Sequence, residues 1–146
     1  MEKLEQETKI LQEGDIVAVY GTLRKGCSNY RNLGLESRAE YLGQDKVKGR
    51  LYTAPHRGYP FLTTGDDDVI VDLFEIKDGR LGRSLDGLEG YDPTSPQERN
   101  TFYLRTSVET IGGVKASIYR IDEKLDENLR IDSGDWIDFC ENVRKN

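Results

Sequence analysis

Two places in the sequence combine reactive side chains with backbone features that could use them. The first is Tyr20-Gly21-Thr22-Leu23-Arg24-Lys25-Gly26. A strand ending in a glycine-punctuated turn brings successive backbone N–H groups together, and such groups converge on anions. The segment lacks the Gly-Lys-Ser/Thr ending and the spacing of a P-loop, which argues against a nucleotide. The same residues also suit an ordinary strand-to-loop turn in which Gly21 relieves steric strain. Arg24 and Lys25 either pair a substrate carboxylate or stand in solvent.

The second place is Glu89, which follows Leu88 near the end of a short helical pattern and lies at the edge of its apolar stripe. A half-buried carboxyl there titrates near neutrality and can serve as general acid or base; on the rim it is merely solvated. Asp86, three residues earlier, can face the same way and cap or brace the turn.

Other reactive residues offer less. His56 is the only histidine, so multi-histidine metal sites are excluded, and a Ser/His/Asp triad would depend on one residue in a Pro/Gly-rich loop. Cys27 beside Arg24 and Lys25 reads as a small hydrophobe before it reads as a thiolate nucleophile. Asp66-Asp67-Asp68 lacks EF-hand spacing and reads as a solvated hairpin tip. Tyr52, Tyr59, Tyr91, Tyr103 and Tyr119 sit in or beside strand patterns, as core or cleft wall.

The elements that must position these residues are mostly strands. Residues 16–20, a β-branched apolar run, predict a buried strand. Ser28 or Asn29 can cap a short helix through Leu33 and Leu35. Residues 41–54 predict a bent strand or strand pair with turns or bulges at Gly43 and Gly49; 55–68 predict a loop; 69–76 predict a strong strand. Leu81, Leu85 and Leu88 share one helical face, with Gly90 at the left-handed C-cap position. Residues 102–110 and 114–121 predict a hairpin around Ile111-Gly112-Gly113. One helical turn near Leu125 and Leu129, a turn at Ser133-Gly134-Asp135, and a short Trp136, Ile137, Phe139 segment close the core. Residues 1–15 read as a frayed helix or flexible leader before a single domain over 16–146. About six or seven short strands with two small flanking helices describe an α+β, mainly β domain: a closed or partly open, mostly antiparallel barrel.

Composition narrows the function classes. A chain of 146 residues buries roughly 68% of its unfolded surface and needs no staple to fold. With 21 Lys plus Arg against 27 Asp plus Glu the formal charge is -6, a poor match to a phosphate backbone. Two cysteines without metal-ligand spacing fit a reducing compartment, and neither a signal peptide nor a membrane span is evident. The expectation is a cytoplasmic protein with no nucleic-acid or membrane partner, as a monomer or weak homodimer.

VAVYGTLRKG near the start, and LDGLEGY followed by FYLR, resemble the gamma-glutamylcyclotransferase-like superfamily, especially its small AIG2-like members, from about Ile16 to Phe139. That family's Tyr-Gly-Ser/Thr-Leu loop falls on Tyr20, Gly21, Thr22 and Leu23, its basic residue and glycine on Arg24 and Gly26, and its asparagine on Asn29. Its catalytic glutamate falls on Glu89, and the tyrosine and arginine of its next strand on Tyr103 and Arg105. Tyr59-Pro60 and Gly134-Asp135-Trp136 are similar to further family signatures.

The resemblance implies a small β-barrel with flanking helices and a cofactor-free, metal-free cyclisation of a small γ-glutamyl compound to 5-oxoproline. Glu89 is then the acid–base group, Tyr20 to Leu23 and Tyr103 bind substrate, and Arg24, Asn29, Asp86 and Arg105 support them. The loop from Asp92 to Thr101, with Pro93, Pro96, Glu98 and Arg99, is expected to alter or even close off the usual substrate entrance. The rival reading is a non-catalytic module that captures a small molecule or peptide in the same cleft. A nucleic-acid-associated protein would need Arg24, Lys25, Arg31 and Arg38 on one basic face.

Overall fold

The computed structural model describes residues 6–54, 59–94 and 103–145. Its centre is the apolar run read as a buried strand, β1 (Ile16–Val19). β1 lies in the middle of a five-stranded sheet of order β2-β3-β1-β5-β4, with β2 Ala39–Thr53, β3 Pro60–Ile76, β4 Leu104–Glu109 and β5 Lys115–Arg120. Both of its faces are covered, as continuous hydrophobicity requires. Val17 and Val19 face a cluster with Leu35, Phe74, Leu81 and Leu85, while Ala18 faces another with Val47, Leu62, Val71 and Trp136.

The strand pairings are antiparallel except for β1 with β5, which pair in parallel through Val17 and Ser117. β4 and β5 form the expected hairpin, with Arg105 opposite Tyr119. The sheet is not a closed barrel, and fewer, longer strands replace the six or seven expected. Its outer edges approach where the hairpin tip reaches β2: Ile111 N–H donates to the Lys46 carbonyl at 2.8 Å, and Gly112 N–H to Asp45 at 3.1 Å.

Two expectations change at β3. Residues 60–68 belong to this strand, not to a loop, because β2 extends the whole way to pair Thr53 with Pro60. The Asp66-Asp67-Asp68 run is therefore no hairpin tip: Asp67 and Asp68 pair with Gly49 and Lys48, beside a bulge between Gly49 and Arg50. Their charges are met by neighbouring cations, Lys48 to Asp68 at 2.6 Å and Arg130 to Asp67 at 2.5 Å. Residues 55–58, which include His56, lie outside the described residues.

There are four α-helices among the described residues rather than two: α1 Ser28–Asn32, α2 Leu35–Arg38, α3 Leu81–Glu89 and α4 Trp136–Lys145. Residues 28–35 split because Gly34 takes a left-handed conformation between α1 and α2. The single turn expected near Leu129 is a 3-10 turn at Glu127–Leu129, and the closing segment becomes a ten-residue helix. Residues 6–15, expected as a frayed helix or flexible leader, contain no helical residue, and Leu11 is fully buried. No helix among the described residues is long and apolar enough to cross a membrane.

Candidate functional site

The turn after β1 and the end of α3 open into one cavity of about 570 Å³. Residues 20–23 form one side, Glu89 and Gly90 another, and Tyr59, Pro60, Tyr103 and Tyr119 the remaining wall.

The turn is held by its own downstream residues. Thr22 carbonyl accepts from the backbone N–H groups of Asn29 and Tyr30 at 3.0 and 3.2 Å, and the Asn29 amide donates to Thr22 Oγ1 at 2.7 Å. Among the described residues, the N–H groups of Gly21, Thr22 and Leu23 make no hydrogen bond. Three consecutive donors are thus left at the cavity edge, where an anionic or carbonyl oxygen can take them. Gly21 is required by close approach: a Cβ there would lie 2.7 Å from Pro60 Cδ, so Pro60 packs directly on the turn.

Arg24 neither binds in the cavity nor stands in solvent. Its side chain is buried and ion-paired to Asp72 of β3 at 3.4 Å and to Asp135 at 2.8 Å. Asp72 also accepts from Lys25 N–H at 2.9 Å, and Asp135 accepts from Ile137 N–H at 3.1 Å at the start of α4. Arg24 therefore ties the turn to the sheet and to the last helix. Burial pushes the Cys27 thiol up, so the thiolate reading has no support, and Cys27 does not line the cavity.

On α3 the inward stripe is Gly82, Asp86 and Glu89, with Leu81 and Leu85 beside it; Leu88, expected in the core, is exposed at the cavity. Glu89, half-buried, thus extends the buried face of its helix to the cavity. Gly90, at φ 69°, ends the helix as expected. Burial, aided by the charge of Asp86, raises the Glu89 carboxyl from 4.5 to about 7. Among the described residues this carboxyl has no hydrogen bond or ion pair, so its proton is free to move to a ligand.

Beneath it, Asp86 is buried and held by Arg105 at 2.6 and 2.7 Å and by the Tyr119 hydroxyl at 2.5 Å. Burial still raises the Asp86 carboxyl, partly offset by those donors. Tyr20 donates to the Tyr119 carbonyl at 2.6 Å and Tyr103 to the Pro60 carbonyl at 2.8 Å.

The structure thus brings Tyr20, Gly21, Thr22, Leu23, Asn29, Glu89 and Tyr103 to the cavity, with Asp86 and Arg105 behind it and Arg24 remote. A reading of the sequence assigns Asp72 no role, takes Tyr119 only as core or cleft wall and Asp135 only as part of a turn and family signature, and gives the leader no function. A lone aspartate inside the apolar run VIVDLFEI was the available signal for Asp72. Most of the loop from Asp92 to Thr101 lies outside the described residues. No cluster of three or more potential metal-ligating side chains occurs among the described residues.

The chain belongs to the AIG2-like gamma-glutamyl cyclotransferase family, whose model matches residues 17–138. No curated protein matches it. Among solved structures it is similar to an uncharacterized protein from Pyrococcus horikoshii, at 27% identity over 90% of this chain and 98% of that one, with a TM-score of 0.69. An AIG2-like protein from Mus musculus matches at 20% identity over 85% and 88% of the two chains, with a TM-score of 0.67. The same fold occurs within Kluyveromyces lactis allophanate hydrolase, at 19% identity over 90% of this chain and 22% of that one, with a TM-score of 0.67.

Proposed function

We propose that the protein is a cyclotransferase that closes a γ-glutamyl amine or γ-glutamyl amino acid on itself, releasing 5-oxoproline, with Glu89 as general acid and base. The observation that carries this reading is the Glu89 carboxyl, raised to about 7 and facing the same cavity as the Gly21 to Leu23 backbone donors. Family membership supports the reaction class.

The steps balance with one carboxyl. The α-ammonium of the substrate sheds one proton to solvent. The resulting amine attacks the γ-carbonyl carbon, and Glu89 takes the second proton as the C–N bond forms. The γ-oxygen becomes an oxyanion within reach of the backbone donors of the turn. Glu89 returns its proton to the departing nitrogen, the old C–N bond breaks, and the carboxylate is regenerated. A pKa near 7 suits a group that must both take and give a proton at neutral pH. Because attack is intramolecular, folding the glutamyl chain against the tyrosine wall supplies much of the advantage. Incubation with a panel of γ-glutamyl amino acids and γ-glutamyl amines tests the reading: 5-oxoproline is expected from at least one class, and its absence across the panel overturns it.

A further inference from the structure

We propose that residues 6–12 form a strap that positions α3 and thereby the Glu89 carboxyl. The proposal rests on the acid–base reading of Glu89 and adds to the site a segment that precedes the family match at residue 17.

The strap touches α3 at Leu11 and the residues that flank the helix at Glu7. Leu11 is fully buried in the cluster that contains Leu81, Leu85 and Tyr91. Its carbonyl lies so close to α3 that a Cβ on Gly82 would stand 2.4 Å from it. Only glycine allows this contact, one helical turn before Asp86. At the other end, Glu7 N–H donates to the Arg105 carbonyl at 2.8 Å, and Tyr91 hydroxyl donates to the Glu7 carbonyl. Downstream, Gly14 N–H donates to the Ile76 carbonyl at 2.8 Å, so the strap is pinned to the sheet beyond the helix.

Arg105 transmits this grip. Its guanidinium has no solvent exposure: it donates to the Lys9 carbonyl, lies 3.2 Å from Glu7 Oε1, and holds both oxygens of Asp86. One buried cation therefore bridges the strap to α3 directly behind Glu89. Among the described residues, the ionisable groups around Glu89 include Asp86 on its own helix, Tyr20 after β1 and Tyr119 on β5, with Tyr59 and Tyr103 on the wall of the same cavity. A tilt of α3 changes both the burial of Glu89 and its setting among these groups.

The test uses the full chain with Leu11→Ala, which opens a void beside α3, Leu11→Met, which refills it, and Tyr91→Phe, which cuts the hydroxyl bond to Glu7. Release of 5-oxoproline by each variant is followed across substrate concentration to separate kcat from KM, and the Glu89 carboxyl is titrated by NMR. Leu11→Ala and Tyr91→Phe are expected to lower kcat about tenfold with KM held within about twofold, the signature of a displaced reacting group. The Glu89 midpoint should fall from about 7 toward 4.5, and Leu11→Met should restore both readings. Folded variants with unchanged kcat and midpoint overturn the strap. If Leu11→Ala does not fold, Tyr91→Phe decides. If the wild-type chain releases no 5-oxoproline, the functional reading fails while the titration still decides the strap.

Discussion

Replacing Glu89 by glutamine should stabilise the protein, and only in one pH range. The carboxyl titrates at about 7 in the fold against 4.5 for an ordinary glutamate. Below about 4.5 the side chain is protonated whether the chain is folded or not, and it contributes no pH dependence. As pH rises from 4.5 through 7 the unfolded chain ionises first, so stability falls until the folded carboxyl has ionised too. At about 1.4 kcal/mol per pH unit the interval from 4.5 to about 7 amounts to about 3.5 kcal/mol, and solvent screening of a half-buried side chain reduces this to about 2–3 kcal/mol. Glutamine cannot ionise, so its chain avoids the loss. Trp136, the only tryptophan and a buried one, reports urea unfolding. Wild type and Glu89→Gln should converge near pH 4.5 and diverge by about 2–3 kcal/mol at pH 8, with unchanged m-values. A constant offset across that range would refute the inference that burial suppresses ionisation of Glu89.

The same carboxyl should shape turnover: the pH profile of kcat/KM should bend at about 7, where Glu89 becomes fully ionised and its roughly tenfold-per-unit contribution ends, while the rise due to the substrate's own amine continues above it; a profile with no bend between about pH 5 and 8 contradicts this. Arg24→Ala should destabilise by about 3–5 kcal/mol in urea denaturation, because it strands the buried Asp72 carboxylate; a loss under about 1 kcal/mol would count against the anchoring role. Two glycines of α3 should respond oppositely to alanine. Gly87→Ala, with nothing within 4 Å of the new Cβ, should gain about 1 kcal/mol of helix propensity. Gly82→Ala should lower stability, because its Cβ would strike the Leu11 carbonyl; equal effects at both positions would refute the close packing of the leader.

The parts of this site that the sequence made legible are those whose residue types carry local signals. The IVAV run marks a strand covered on both faces, Gly90 marks a helix end, and Glu89 sits where a buried stripe meets a loop. The parts it concealed depend on partners far along the chain. Nothing local says that Arg24 will be buried between Asp72 and Asp135, residues 48 and 111 positions away. The polar stretch Thr63 to Asp68 resembles a loop, and only the length of β2 opposite makes it a strand. Leu11 looks isolated among charges, and its core position follows from a glycine 71 residues later, which leaves room for its carbonyl. Spacing placed Leu88 inside and Glu89 at the edge; the packing of α3 rotates that stripe by one residue and turns the carboxyl inward.

If Glu89 moves the proton in this cavity, paired rates of 5-oxoproline release by wild type and Glu89→Gln must differ. With the best substrate of the panel, kcat should fall about 10²–10⁴-fold in Glu89→Gln, the range for a lost acid–base group, with the unfolding transition still cooperative. A folded Glu89→Gln protein that turns over at the wild-type rate would contradict it.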